Sequence, residues 1–346
     1  PNIYVVRADF LDSLGGQKAA GHPDPEPAPE AGSAPEPRPW PELSGPYLGQ
    51  TPPGREPVVF APGLVSTGLN ERDLLVSPDG QTIWYGFMGQ GLVTIMETRL
   101  EGGTWTEPAP VAFHAEGEFV CFEPTLSADG RQVFFLSNRA APGQEQGQGW
   151  ANQNIFTSRR QLDGSWTRAV PLPGPVTTAG AEYFPSLADD GTLYFTREDD
   201  EGAAAIWSAE PAGSGYGEVR RLPPAVNSGK NNFNATVAPD ESWIILCVAG
   251  REGNLGDADY WISFRDARGK WGPARNMGPL FNGERWRASS VSLSPDGRYL
   301  FFSSNRLQMP ESAPITRASM LEEHAGPGHG SLDIWWVEAA VIQDFR

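Results

Sequence analysis

Apolar residues in this chain come in short clusters, each set off by a polar reversal. The reversals are Ser77-Pro78-Asp79-Gly80, Ser127-Ala128-Asp129-Gly130, Asp189-Asp190-Gly191, Pro239-Asp240-Glu241 and Ser294-Pro295-Asp296-Gly297. Proline presets φ at the second turn position, and aspartate and glycine suit the tight step after it. The clusters that follow are Ile83-Trp84-Tyr85, Val133-Phe134-Phe135, Leu193-Tyr194-Phe195, Ile244-Ile245-Leu246 and Leu300-Phe301-Phe302. Unbroken aromatic and branched runs suit strands covered on both faces, so each unit begins as a β-hairpin. A third strand is predicted at Thr94-Ile95-Met96, Asn154-Ile155-Phe156, Ala205-Ile206-Trp207, Tyr260-Trp261-Ile262 and Asp333-Ile334-Trp335. In four units a glycine (Gly103, Gly164, Gly215 or Gly269) precedes an aromatic that opens a fourth strand: Trp105, Trp166, Tyr216 or Trp271.

Four short antiparallel strands recurring about every 50 to 60 residues are the pattern of a propeller blade. The fifth unit reaches Ile342, too close to the last residue for a fourth strand. Residues 55–66, just ahead of the first unit, read like the outer strand Trp271–Asn282 without its leading aromatic. The expectation is an all-β, five-bladed β-propeller of four-stranded antiparallel blades, the last one closed by the N-terminal strand. Closure removes the raw sheet edges that the alternative, an open four-and-a-half-blade solenoid, would leave. The expected organisation is an N-terminal arm at 1–20, a Pro/acidic linker at 21–45 and the propeller at 46–346. Within the propeller, the closing strand is expected at about 55–66 and the blades at about 70–115, 120–178, 181–228, 231–282 and 286–342.

Length and composition fit one large β unit: 346 residues with 12 Trp, 17 Phe and 8 Tyr supply ample core surface. Lys+Arg 26 against Asp+Glu 43 leaves −17, which repels phosphate backbones and anionic lipid, so no nucleic acid partner is expected. Cys121 and Cys247 are too few for a disulfide scaffold or a cysteine-rich zinc module, and are expected as buried thiols. No apolar run approaches the roughly 18 to 20 residues of a membrane helix, so no membrane insertion is expected. The first residues lack a charged start followed by an apolar stretch, and any export signal is expected to have been removed.

The run Ser294–Arg306 (Ser-Pro-Asp-Gly-Arg-Tyr-Leu-Phe-Phe-Ser-Ser-Asn-Arg) and the later Asp333–Val337 resemble the TolB-like, WD40-like propeller family. In that family a Ser-Pro-Asp-Gly turn leads into an aromatic strand. Gly45–Gly54 resembles the lead-in of a subgroup of exported bacterial members. The resemblance covers about residues 45–346 and implies a propeller in an exported, periplasmic or extracellular setting. It implies no particular activity, because propellers host unrelated ones. Asp240-Glu241 in place of Asp-Gly, and Asp189 in place of proline, depart from the pattern at turns only.

In a blade the residues before strand one share a face with the loops between strands two and three, and the Asp-Gly turns lie opposite. The former loops are the long ones, Ala140–Gln153, Gly250–Ala258 and Leu307–Leu332. Long loops on a rigid ring are where binding groups concentrate. Six positions before each turn aspartate stand Asp73, Glu123, Phe184, Asn234 and Ser290. One step earlier come Arg72, Phe122, Tyr183, Phe233 and Ser289, and two steps earlier Glu71, Cys121, Glu182, Asn232 and Ala288. The candidate ligand-binding residues at this channel mouth are Arg72, Asp73, Glu123, Glu182, Tyr183, Asn232, Trp286 and Arg287, with Glu123 and Arg287 foremost. Rings that stack and charges that orient suit a glycan or a peptide. The competing reading is that such polar groups only hold water and tie blades together.

Some five-bladed propellers are glycoside hydrolases that use inward carboxylates as acid and base. Asp73, Glu123 and Glu182 would be that set here, although Glu182 is out of register with the other two. Nucleophile-elbow, zinc-protease and phosphate-loop motifs are absent from the sequence. His324 and His329 follow Glu322 and Glu323, but a Gly/Pro loop is a poor preorganised site, so no metal is expected. Gly256-Asp257-Ala258-Asp259 reads as a turn because Asp259 aligns with Asp333. No cofactor is expected either.

Residues 21–45 hold eight prolines and five acids and cannot bury a core. Ahead of them, Ile3–Val6 and Phe10-Leu11 form a small apolar element suited to docking on the propeller or on a neighbouring chain. The functional expectation is a non-catalytic binding or assembly subunit. Its long-loop face would meet a protein or glycan partner, with residues 1–45 as a second attachment to a larger assembly. The alternative is a carbohydrate-active, glycoside hydrolase-like enzyme at the channel mouth.

Overall fold

The turns fold as their residues dictate. Ser77 donates its hydroxyl to Asp79 at 2.6 Å and accepts Thr82 N–H at 2.9 Å, while Gly80 N–H closes on Ser77 O at 2.8 Å. Ser127/Asp129/Gln132 and Ser294/Asp296/Tyr299 repeat these side-chain bonds. Gly80, Gly130 and Gly297 take φ near +70° (69°, 66° and 70°), where a Cβ is strained. Glu241 holds that conformation without glycine's freedom, at φ 56°, and its carboxylate accepts from Tyr194 Oη and Arg265 Nη1.

The computed structural model describes residues 39–89, 91–114, 119–307, 316–317, 319 and 326–346. The N-terminal arm, the linker up to residue 38 and the Glu322, Glu323 and His324 positions lie outside the described residues. The chain divides into a unit at Pro1–Pro41, of which 39–41 are described, and a unit at Glu42–Arg346 that carries the propeller.

Five antiparallel sheets make up the propeller. Blade 1 comprises Asn70–Val76, Thr82–Gly89, Leu92–Glu101 and Thr104–Trp105, with Ala109–Pro110 also pairing the third strand. Blade 2 comprises Cys121–Leu126, Gln132–Ser137, Asn154–Arg159 and Val170–Pro171. Blade 3 comprises Glu182–Leu187, Leu193–Glu198, Ala204–Ala212 and Gly215–Arg221. Blade 4 comprises Asn231–Val237, Trp243–Ala249, Ala258–Phe264 and Arg275–Asn276. In blade 5, Val291–Leu293, Tyr299–Ser304 and Asp333–Glu338 are joined by Val58–Val59, which pairs with Trp336 and Trp335. The ring is therefore closed by the N-terminal strand. That strand is two residues long because the chain turns away after Phe60 N–H bonds Ile334 O at 2.8 Å.

The apolar core lies between blades. One cluster joins Trp84 and Ile95 to Val133 and Phe135, a second joins Phe134 and Ile155 to Leu193 and Phe195, and a third joins Tyr194 and Ile206 to Leu246 and Trp261. In blades 2 to 4 the aromatic near the outer strand reaches back to the second strand of the preceding blade. Trp166 packs on Trp84 with ring centroids 5.7 Å apart, Tyr216 on Phe134 at 6.4 Å and Trp271 on Tyr194 at 6.5 Å. Blade 5 lacks this aromatic. Its place against blade 4 is taken by the C-terminal 3₁₀ segment Ala339–Phe345, whose Val341 and Ile342 join Trp243 and Ile245 in one cluster. Tyr47 caps blade 5 in turn, 5.4 Å from Tyr299 and 5.7 Å from Trp336. Trp105 is held by Gly45 O at 2.7 Å.

Candidate functional site

Near its axial end the first strand of blades 1 to 4 carries a bulge, with register breaking between Arg72/Leu75, Phe122/Thr125, Tyr183/Ser186 and Phe233/Thr236. The residue at the break is left-handed in each: Asp73 (φ 56°), Glu123 (57°), Phe184 (50°) and Asn234 (51°). Each such residue costs on the order of 1–2 kcal/mol, a cost that the closing of blades around one axis imposes. Their N–H groups turn sideways and stitch the ring. Asp73 N–H reaches Ser290 Oγ at 3.0 Å, Phe184 N–H reaches Glu123 Oε2 at 2.8 Å, and Asn234 N–H reaches Thr196 Oγ1 at 3.0 Å.

Arg72 forms the floor. Its Nε lies 2.9 Å from the Asp73 carboxylate and its Nη2 2.9 Å from Glu123 Oε1, while the guanidinium stacks 5.0 Å from the Phe122 ring centroid. Gly86 makes this stack possible, because a Cβ there would lie 2.4 Å from Phe122 Cε2 and 2.9 Å from Asp73 Oδ2. Two buried carboxylates share one cation. Burial pushes the Glu123 carboxyl up to about 7, against the pull of Arg72, and raises Asp73 as well.

Beneath this floor a narrow channel of about 130 Å³ runs along the axis past Ser186, Thr236 and Ser292. Above it opens a mouth of about 520 Å³ on the long-loop face. Arg72, Glu123, Tyr183 and Arg287 line the mouth, as do Phe122, Phe233, Trp150 and Glu198. Tyr183 Oη donates to Glu198 Oε1 at 3.1 Å. Asn234, 4% exposed, also lines it; its Nδ2 is spent on Ser289 O at 2.7 Å, while its Oδ1 is buried without a partner.

The structure thus brings Arg72, Asp73, Glu123, Tyr183 and Arg287 together. It sets the other three candidates apart. The Glu182 carboxylate accepts from Thr178 N, Thr178 Oγ1 and Arg197 Nε, the last at 3.0 Å, and is fully buried. Asn232 Oδ1 accepts Ser228 N–H and Gly229 N–H, both at 2.9 Å. Glu71 repeats the device on Thr67. This position braces the loop leading into a blade. Trp286 is half-buried against the Arg306 guanidinium, 4.3 Å from its centroid. Sequence reasoning passed over Trp150, Glu198 and Asp257 as site residues. The long loops flagged Trp150 and Asp257 by region only.

Asp259 accepts Leu255 N–H and Gly256 N–H, the turn role its alignment suggested. Among the described residues no group of three or more His, Cys, Asp or Glu could hold a metal ion. Both cysteines are free and buried, and among the described residues no helix is long and apolar enough to cross a membrane.

The fold and its mouth define the molecule as a five-bladed propeller with a polar, aromatic-walled axial cavity. No protein-family model and no curated protein matches the chain. Solved structures match at the level of fold. TolB from Acinetobacter baumannii is 16% identical with a TM-score of 0.42, over 78% of this chain and 57% of that one. A protein from Agrobacterium tumefaciens provisionally assigned as TolB is 14% identical with a TM-score of 0.47, over 78% and 90%. A gluconolactonase from Xanthomonas campestris is 13% identical with a TM-score of 0.45, over 86% and 98%. The chain spans little more than half of the Acinetobacter protein. These likenesses concern fold and say nothing of chemistry.

Proposed function

We propose that the protein is a non-catalytic binding subunit whose long-loop mouth receives a segment of a partner. The observation that carries this reading is Arg72 sealed between Asp73 and Glu123 beneath an open cavity. A glycosidase needs one carboxyl free to give a proton and another free to attack or activate water. Here Arg72 occupies both, and Glu182 is committed to Thr178 and Arg197. The walls above have what recognition uses: rings, three amides (Gln153, Asn231 and Asn234) and charges on a rigid scaffold.

The reading includes an exported setting, supported by the resemblance of Gly45–Gly54, and a docking role for residues 1–45. The test is the native mass of the 346-residue chain and of a version lacking residues 1–44, in extract of the source organism, alongside polysaccharide turnover. A larger particle formed only by the longer chain, with no turnover by either, supports the reading. Turnover that Glu123→Gln abolishes in a folded protein would replace it with the hydrolase reading.

A further inference from the structure

We propose that the mouth recognises an organic ammonium group, the side chain of a lysine on a partner protein. This rests on the mouth being the binding face. Among the described residues the mouth is lined by three carboxylates (Glu123, Glu198 and Asp257) and two guanidinium groups (Arg72 and Arg287). Arg72 is consumed at the floor together with Asp73 and Glu123, so the charges left facing the cavity are Glu198 and Asp257 against Arg287, exposed at the rim. The excess is negative, in a protein of net charge −17 that steers basic partners toward itself.

An independent observation points the same way. Asn234 Oδ1 is a buried acceptor with no partner, and its orientation is settled because Ser289 O requires the Nδ2 donor. A buried acceptor left unpaired costs free energy that a donor from a ligand would recover. This amide oxygen asks for a donor, and Glu198 and Asp257 favour a cationic one. The walls suit the same guest: Tyr183, Phe233 and the half-exposed Trp150 present ring surface, which attracts ammonium cations within about 6 Å. A glycan would find rings and acceptors too, but no reason for the surplus charge. Among the described residues a carboxylate-bearing guest would meet repulsion from Glu198 and Asp257 and attraction from Arg287.

The experiment is calorimetric titration of the 346-residue protein with three probes. These are the capped pentapeptide Gly-Gly-Lys-Gly-Gly, the same peptide acetylated on the lysine nitrogen, and 1,5-diaminopentane. The lysine peptide should bind saturably, lose affinity as salt is raised, and weaken at least about tenfold on acetylation. Glu198→Gln keeps an acceptor for Tyr183 and should weaken binding about fivefold, whereas Arg287→Ala should tighten it by a similar factor. A diamine that binds as tightly as the peptide keeps ammonium recognition and moves the source to a free amine. Equal binding of the acetylated peptide, or loss of affinity in Arg287→Ala, overturns the inference. If the acetylated peptide saturates the mouth and neither cation does, the inference fails and the binding-face reading stands. If nothing binds, both fail.

Discussion

The seams between the first four blades and the seam that closes the ring are built from different materials. At the former, Trp166, Tyr216 and Trp271 each reach the second strand of the preceding blade, and all three come from the same place in the repeat. The closing seam is improvised from residues far apart in sequence. Phe60 meets Phe301 and Trp336 edge-on at 5.3 and 5.2 Å, and Tyr47 caps the same group. Asn70 Oδ1 accepts Leu332 N–H, and Glu71 N–H reaches Leu332 O. Two acids, Glu71 and Asp333, also interact there, and among the described residues neither has a salt-bridge partner. Burial pushes Glu71 up to about 7 with Asp333 adding to the rise, and burial pushes Asp333 up to about 7. The equivalent Glu182 has Arg197 opposite it in register, where Glu71 has Phe87. A repeat can standardise its internal seams, but a closure joins two ends that share no local sequence, and its polar matching is poorer.

Phe60→Ala tests the distinction hardest. The ring is fully buried in the closing seam, and its loss should cost about 3–5 kcal/mol in urea unfolding. The pH dependence comes next. Glu71 has a folded value of about 7 against an ordinary 4.5, so between these the folded state holds more protons than the unfolded one. Stability therefore falls as pH rises from 4.5 to 7 and levels off above. The loss from this one group should be on the order of 3 kcal/mol, and Glu71→Gln should remove that share of the slope while Asp333 keeps the rest. An unchanged slope in the variant would show that Glu71 is not the group titrating. The smallest effect is expected at a regular seam. Trp166 is half-buried between Trp84 and Phe113, and Trp166→Ala should cost about 2 kcal/mol. A loss equal to that of Phe60→Ala would erase the contrast between the two kinds of seam.

The blade repeat was legible because turn chemistry is local. Ser77 and Asp79 find their hydrogen bonds within five residues, and so do their counterparts. The site was half legible. Counting back from the turn aspartates brought Arg72, Asp73, Glu123 and Tyr183 to the axis because strand length is nearly the same in each blade. It also took in Glu182 and Asn232, whose side chains the fold spends on the loops leading into blades 3 and 4. Their distinguishing sign was in the sequence: Thr178 stands four residues before Glu182 as Thr67 does before Glu71, a local brace like Ser228 before Asn232.

By itself the sequence determined the five-blade repeat, the missing outer strand and where its replacement had to come from, because turns and strand patterns are set by neighbours a few residues apart. Only the tertiary structure decided which charges meet. Arg72 finds Glu123 across 51 positions and Asp73 finds Ser290 across 217, so their pairing depends on how far each blade is rotated about the axis. Ring closure sets that rotation through contacts from every blade at once, and no stretch of sequence carries it alone.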